Sequence, residues 1–317
     1  MNKKGIKIRQ LTAEMGLEVL AGEKGLDKEV KVEMISRPGL EMAGVFDYID
    51  AERLVLIGVK ESRFLNSFSD ELKRERLREF MSYKPPAIIF PQNKEVEVVI
   101  EIFKEIGEEF EIPILRSELN TTPLNSQLYF YLHKQLAERI GVHGVFVDIY
   151  GMGTLIIGRS GIGKSETALE LIKRGHILVS DDLVEIYQST VGNLIGTAPS
   201  ILRRYLEIRG IGIVDVISMF GTGAYRESKR VSIVVELERW RDDKEYDRIG
   251  LSNETVVYFN TEIPKITIPV LPGRNVATLV ESAAMNQKLK SLGHNAALNF
   301  TKAVSKQSRE GHENHEK

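Results

Sequence analysis

Apolar and polar positions along this chain alternate between two periods. Short apolar runs bounded by Gly or Pro occur at Arg53-Leu54-Val55-Leu56-Ile57-Gly58, Pro86-Ala87-Ile88-Ile89-Phe90-Pro91 and Ile112-Pro113-Ile114-Leu115. Each has the length and content of a strand. Between them the spacing lengthens: residues 69–81 read as a surface helix with Ser69 as N-cap, and residues 95–105 repeat the helical pattern. Strands alternating with helices predict a parallel sheet with helices packed on it, so residues 1–135 are expected to form a small α/β domain. The basic run from Lys73 to Arg78 is interleaved with Glu71, Glu75 and Glu79, which is the pattern of a solvated helix face. Nothing in this half suggests chemistry, which leaves a regulatory or assembly role as its default.

Asn120-Thr121-Thr122-Pro123 breaks the pattern, with Pro123 suited to the first helical position, and the apolar-striped stretch 127–137 is expected to be a helix joining two domains. His133 on it reads as a packing or surface residue. The second domain, residues 136–305, opens with Gly141-Val142-His143-Gly144-Val145-Phe146-Val147 and contains the strand-like runs Leu155-Ile156-Ile157, Gly175-His176-Ile177-Leu178-Val179-Ser180-Asp181-Asp182 and Val231-Ser232-Ile233-Val234-Val235-Glu236-Leu237. Tyr205-Leu206-Glu207-Ile208 reads as a short strand followed by a glycine-rich turn into the apolar start of a helix, with Glu207 and Arg209 on the face opposite Leu206 and Ile208. Pro264, Pro269, Pro272 and Arg274 crowd the approach to a helix over 276–290. From residue 306 the chain is polar with almost nothing to bury, so 306–317 is expected to be a disordered tail, its His312 and His315 solvated.

The chemistry concentrates between two of these elements. Gly158-Arg159-Ser160-Gly161-Ile162-Gly163-Lys164-Ser165 is a complete G-x-x-x-x-G-K-[ST] loop, preceded by a strand-like run and followed by the helical stretch 166–173. Its glycines permit the positive φ and close backbone approach that a phosphate cradle needs, and the helix that follows points unpaired amides at the anion. Lys164 supplies a point charge near the β- and γ-phosphates, and Ser165 a hydroxyl for a metal ion. A strand ending in Asp181-Asp182 soon after such a helix is where an acidic group for metal or nucleophile is expected. Glu207 is a further oxygen donor suited to Mg2+. Arg274, just ahead of a helix N-terminus, joins a side-chain charge to the positive end of the dipole.

Composition narrows the field. At 317 residues two domains are expected, and 42% hydrophobic content is enough to fill both. A net charge of −2 argues against nucleic acid or an anionic membrane as the main partner. The absence of cysteine removes disulfides, thiolate metal sites and cysteine nucleophiles. No apolar run reaches the ~18 residues of a membrane span or follows the charged N-terminus as a signal core, so a soluble cytoplasmic protein is expected.

Taken together, Val142-His143-Gly144, the loop from Gly158 to Ser165, Asp181-Asp182, Leu206-Glu207-Ile208-Arg209-Gly210-Ile211-Gly212 and Pro272-Gly273-Arg274-Asn275 closely resemble bacterial HPr kinase/phosphorylase. The resemblance is strongest over residues 140–300. It implies a P-loop kinase domain like the nucleotide-binding core of phosphoenolpyruvate carboxykinases, behind an N-terminal α/β domain, in a homohexamer. The implied activity is bifunctional: phosphorylation of a seryl residue of the phosphocarrier protein HPr by ATP, or by pyrophosphate, and removal of that phosphate by inorganic phosphate to yield pyrophosphate. This would control carbon catabolite repression, with fructose 1,6-bisphosphate as effector. Carried onto this chain, the pattern makes Asp182 the group that takes the serine proton and returns it, Lys164 the stabiliser of the transferring phosphoryl, and Ser165 with Glu207 the Mg2+ ligands. His143 and Arg248 match active-site positions. The stretch Leu206-Glu207-Ile208-Arg209-Gly210-Ile211-Gly212-Ile213-Val214-Asp215 matches the part needed for both reactions, and Pro269-Val270-Leu271-Pro272-Gly273-Arg274 the part tied to dephosphorylation. Two rivals use the same loop: a small-molecule kinase of carboxykinase type, and a nucleotide-gated regulatory module without transfer.

Overall fold

The computed structural model describes residues 5–247 and 250–313, of which 306–313 as backbone only. The chain divides into two compact units, Met1–Ala137 and Glu138–Lys317.

In the first unit, five strands form a sheet: β1 (Glu18–Ala21), β2 (Ile35–Ser36), β3 (Leu54–Leu56), β4 (Ile88–Phe90) and β5 (Ile114–Arg116), in the order β1-β5-β4-β3-β2. β2 to β5 are parallel and β1 is an antiparallel edge. Unbroken apolar runs in β3 and β4 follow from burial on both faces. Val55, Ile88, Phe90 and Ile114 pack against Leu65 of α1 (Val59–Asn66), Phe80 of α2 (Asp70–Ser82) and Phe103 of α3 (Lys94–Glu109), whereas Leu54, Leu56, Ile89 and Leu115 face Leu124, Leu128 and Leu132 of α4 (Thr121–Leu136). The expected Ser69 cap is present, its hydroxyl accepting from the Leu72 amide at 3.3 Å. α4 starts two residues earlier than Pro123 suggested, with Asn120 as N-cap. Pro123 is tolerated there because first-turn amides have no intrahelical partner to lose. The Nδ1 of His133 lies 2.7 Å from Glu33 Oε2.

The second unit is built on a nine-stranded mixed sheet among the described residues. Its elements are β6 (Arg139–His143), β7 (Val145–Ile149), β8 (Met152–Gly158), α5 (Lys164–Lys173), β9 (Ile177–Ser180), β10 (Leu183–Thr190), β11 (Asn193–Thr197), a separate hairpin of β12 (Tyr205–Ile208) and β13 (Gly212–Asp215), α6 (Val216–Phe220), β14 (Ser228–Arg239), β15 (Thr255–Tyr258), β16 (Thr261–Val270), α7 (Val276–Ser291) and α8 (Ala296–Glu313). The strand order is β9-β7-β8-β14-β11-β10-β6, with β16 also on β14 and β15 on β16. β8, β14 and β16 are parallel, so their C-terminal ends share one edge. Alternation along the strands divides the core: Val145, Val147, Ile156, Val235 and Ile268 face α5 and α7, while Phe146, Leu155, Val234 and Ile263 form a second cluster on the other side.

Two differences from the sequence reading stand out. The glycine-rich stretch after Ile208 turns back as a second strand, β13, before the helix begins; Gly210 and Gly212, at φ 83° and 105°, supply the turn. α8 continues through Glu313, beyond residue 306 where disorder was expected, because each added residue of Lys306-Gln307-Ser308-Arg309 propagates an existing helix at little cost. His312 lies in that helical backbone and His315 outside the described residues. No helix among the described residues is long and apolar enough to cross a membrane.

Candidate active site

The phosphate loop leaves the C-terminal end of β8 and enters α5 at Lys164. Gly158 has to be glycine: a Cβ there would lie 2.5 Å from the Leu237 carbonyl oxygen of the neighbouring β14. Gly161 and Gly163 adopt φ of 77° and 100°, the left-handed region that favours glycine, and so turn the loop into the N-terminus of α5. Lys164 reaches back over the loop, its Nζ donating to the carbonyls of Gly158 at 3.0 Å and Arg159 at 3.3 Å. Arg159, Ser160 and Gly161 are exposed, and Ile162 is half-buried against the core.

Beside the loop, β9 ends in the two carboxylates, and the structure gives them different surroundings. Asp181 is 3% exposed. It accepts from the Ser165 hydroxyl at 2.9 Å and from the Glu207 amide at 2.9 Å, so one carboxylate ties the phosphate loop to the β12–β13 hairpin. Burial pushes its pKa up, against the lowering effect of those hydrogen bonds. Asp182 is exposed and sits at φ 66°, a conformation that Asp tolerates better than most residues. Its turn is held on three sides. The Leu183 amide donates to the Asp181 carbonyl at 2.8 Å, the Gly144 amide to the Asp182 carbonyl at 3.0 Å, and the Ser180 hydroxyl to the Leu183 carbonyl at 2.6 Å. Such fixed strain is typical of a side chain that must be pre-positioned. His143 pairs with Leu183 across β6 and β10, one residue from Asp182, and is also exposed.

The hairpin completes the cluster. Leu206 and Ile208 are buried in the core that includes Ala168, Leu171 and Ile172 of α5, and burying each contributes about 1.5–3 kcal/mol to holding the hairpin on that helix. Period two then turns Glu207 outward, as expected. Arg209 extends to the loop, with Nη2 3.4 Å from the Ser160 hydroxyl. Among the described residues no carboxylate pairs with Lys164 or Arg209, so two cations face the loop.

Hydrogen bonds therefore join the loop from Gly158 to Ser165 with Asp181, Glu207 and Arg209, while Asp182 and His143 adjoin this cluster through the chain and the strand register. Arg248 lies outside the described residues. Pro269 and Val270 pair with Glu238 and Arg239 of β14, so residues 271–274 leave from the edge that carries the phosphate loop, without a hydrogen bond to it among the described residues. Asp181 is the residue that sequence reasoning passed over in favour of its neighbour. Its position directly at the strand end was the available signal.

The comparisons with known proteins follow this geometry. Residues 6–132 match the family described as HPr Serine kinase N terminus, and residues 134–304 the HPr Serine kinase C-terminal domain. The chain belongs to the HPr serine kinase family. It is similar to proteins named HPr kinase/phosphorylase from Bacillus licheniformis, at 47% identity over 93% of this chain and 94% of that protein. A namesake from Bacillus pumilus is 45% identical over 95% and 96%, and one from Listeria monocytogenes 46% over 95% and 96%. Among solved structures, the Hpr(Ser) kinase/phosphatase from Coxiella burnetii is 36% identical, covering 51% of this chain and 98% of that one with a TM-score of 0.46. Both halves of this chain thus carry HPr serine kinase domains, with the phosphate loop and the hairpin inside the C-terminal one.

Proposed function

We propose that this protein is a bifunctional HPr kinase/phosphorylase, which moves a phosphoryl group from ATP, or pyrophosphate, to a seryl residue of HPr and returns it to inorganic phosphate as pyrophosphate. The observation that carries the reading is the Asp181 bridge: one buried carboxylate holds Ser165 of the phosphate loop and the Glu207 backbone, and the next residue presents Asp182 to solvent at the same point. Family membership supports the choice of substrate.

The nucleotide's phosphates lie against the loop amides, with the Lys164 ammonium and the Arg209 guanidinium offsetting their charge. The donor set fits Mg2+, a hard cation that binds few protein ligands and completes its shell with water and phosphate oxygens: Ser165 and Glu207 offer oxygen alone. A cation held by them would neutralise charge on the transferring group. Ser165 donates its proton to Asp181, which leaves the lone pairs of Oγ turned away from the carboxylate and open to a cation. Asp182 accepts the proton of the acceptor serine in the kinase direction and donates it back in phosphorolysis, as microscopic reversibility requires of one group. His143 and Arg248 belong to the same site in this reading, and residues 269–274 to the dephosphorylating direction. A carboxykinase-like core, a homohexamer, fructose 1,6-bisphosphate as effector and a role in carbon catabolite repression are parts of the same proposal and rest on the family resemblance.

The test mixes the protein with Mg-ATP and purified HPr, then adds phosphate and assays pyrophosphate. Seryl-phosphorylated HPr followed by pyrophosphate release is the expected result. Transfer to a metabolite but not to HPr, or nucleotide binding without transfer, would overturn it. Light scattering reads the oligomer directly.

A further inference from the structure

Deep in the sheet of the second unit, one carboxylate gathers two cations. Asp148 on β7 is 5% exposed and pairs with Gly153 of β8 on one side and Ile177 of β9 on the other. Its Oδ2 lies against Arg226 Nη1 and 2.9 Å from Lys229 Nζ. Asp148 Oδ1 and Arg226 Nε are buried as well, and among the described residues neither has a hydrogen-bond partner. Replacing buried ions of this kind by apolar side chains of like volume is commonly neutral or stabilising, so the charges are better explained by the one arrangement they select than by stability. The two cations differ in what fixes them. Lys229 belongs to β14, where it pairs with Gly196 of β11 within a ladder, and its stem lies over Gly153: a Cβ there would stand 2.9 Å from Lys229 Cγ. Arg226 belongs to the connector 221–227 between α6 and β14. That connector meets β9 through an isolated parallel bridge, Tyr225 to Leu178, with the Arg226 amide donating to the Leu178 carbonyl at 3.0 Å. The Thr197 hydroxyl donates to the Glu227 carbonyl at 2.8 Å.

We propose that Asp148, acting through Arg226, is a positioning residue for phosphoryl transfer: it keeps the connector in register on β9, so that Asp181 and Asp182 stay in step with the strand that presents Glu207. The inference rests on the kinase reading and deepens it. β9 and its end hold the chain between residues 206 and 227 at two points. Asp181 accepts from the Glu207 amide at 2.9 Å, and three residues earlier the Leu178 carbonyl accepts from Arg226. A single bridge specifies register weakly, because a slip of one residue exchanges it for an equivalent one. Such a slip displaces the connector by about 3.4 Å along β9, more than the whole length of the bond between Asp181 and the Glu207 amide. The Arg226 side chain removes that freedom. It reaches past β9 to a fixed carboxylate on β7, and a slipped connector would leave Asp148 with Lys229 alone and Arg226 without its anion. Among the described residues no hydrogen bond links Asp148 or Arg226 to the phosphate loop, so the clamp acts on where the carboxylates stand and not on how nucleotide phosphates are held.

The test compares the full-length protein with three variants. Arg226→Met and Lys229→Met each remove one cation from the same Asp148 oxygen and leave the other, so the carboxylate stays paired in both and their urea midpoints should fall by similar amounts. Only the first frees the connector. Arg226→Met should lower kcat in both directions about 10–100-fold with the KM for ATP within about threefold of the parent, Arg226→Lys should recover most of that loss, and Lys229→Met should keep kcat within about threefold. Hydrogen exchange at the Glu207 amide, read without nucleotide or HPr, should quicken in Arg226→Met and not in Lys229→Met. Equal losses of kcat in the two Met variants, a loss that Lys does not recover, or a kcat that does not move would reduce the clamp to a structural pair and overturn the proposal, with the kinase reading intact. No transfer to HPr by the unaltered protein would remove that reading and the role in transfer with it, an outcome told apart from the others because it needs no variant.

Discussion

Replacing Asp181 by Asn separates charge from shape at the bridge between the phosphate loop and the hairpin. The carboxylate accepts two hydrogen bonds, from Ser165 at 2.9 Å and from the Glu207 amide at 2.9 Å. Charge-assisted bonds of this kind are worth about 1.5–3 kcal/mol each. Burial nonetheless outweighs them, since it holds the Asp181 pKa above its ordinary 3.8. A carboxyl whose folded pKa is raised binds its proton more tightly in the native state, so its ionisation costs stability progressively as pH rises from about 3.8 to the raised value. Asn has no charge to bury and can satisfy both neighbours: its oxygen accepts from the Glu207 amide while its NH2 donates to the Ser165 oxygen. The two neutral bonds contribute about 0.5–1.5 kcal/mol each, so Asp181→Asn should lie within about 1 kcal/mol of the parent at pH 7 and gain on it as pH rises above 4. The reversed bond, however, points a donor at the lone pairs of Ser165 Oγ that a cation needs. Loss of an orienting partner of this kind costs about 10–100-fold, and most of it should appear as a raised Mg2+ requirement for phosphoryl transfer. Urea unfolding from pH 4 to pH 8, with transfer rates at graded Mg2+, gives both halves. A variant several kcal/mol less stable at pH 7, or one with the parent's Mg2+ dependence, would refute the reasoning.

Three further outcomes follow from single contacts. Asp182→Asn should abolish both directions of transfer while leaving the unfolding midpoint within about 1 kcal/mol of the parent, because the residue is exposed and Asn accepts φ 66° as readily as Asp; rates that survive in either direction would displace it as the proton carrier. Lys164→Ala should remove nucleotide-dependent transfer with little effect on folding, since among the described residues its ammonium bonds only to the carbonyls of Gly158 and Arg159; unaltered kinase rates would refute its role. Glu281 on α7 accepts from Tyr150 at 2.9 Å, Arg174 at 2.9 Å and His176 at 3.0 Å, and although burial raises its pKa these partners hold it below the ordinary 4.5. Its stabilisation is complete above pH 4.5 and fades as pH falls through the lowered value, so Glu281→Gln should cost about 1–3 kcal/mol at pH 7 and less at pH 3; a cost independent of pH would remove the charge from the explanation.

The parts of the fold legible in the sequence were those where one physical signal dominates. Leu54, Val55, Leu56 and Ile88, Ile89, Phe90 are strands buried on both faces, and no other element of that length is so uniformly apolar. The phosphate loop was legible because its steric demands are severe, as the 2.5 Å approach at Gly158 illustrates. The return strand β13 was not, because Gly212, Ile213, Val214 and Asp215 resemble the start of an amphipathic helix until Gly210 and Gly212 are known to take positive φ. Pro264 and Pro269 likewise concealed β16: a proline inside a strand argues against pairing, yet Pro264 sits opposite Thr255 and Pro269 opposite Glu238 in a ten-residue strand. Within the site, composition and periodicity do not separate the adjacent aspartates beyond the place of Asp181 directly at the strand end; what distinguishes them in the fold is burial: 3% exposure and two donors for Asp181, an open turn for Asp182.

If Asp182 carries the proton as proposed, that difference between neighbours accounts for how one turn can serve a reaction that runs both ways. A group that alternately takes and gives a proton must keep its position in both states, yet cannot itself be locked by the hydrogen bonds that would fix its protonation. Here the fixing falls on the backbone. The carbonyl of Asp182 is held by Gly144, its turn closes through Leu183 and Asp181, and Ser180 secures the far side, so the side chain is placed without being engaged by a hydrogen bond among the described residues. The buried partner carries the opposite burden, staying in one arrangement that aligns Ser165 and the hairpin. Removing the Ser180 hydroxyl would therefore be expected to loosen placement and not protonation: Ser180→Ala should lower the rates of transfer and phosphorolysis by similar factors and leave the pH dependence of each where it was. A shift in the pH profile with unchanged rates would mean that the turn tunes the acid and does not merely hold it.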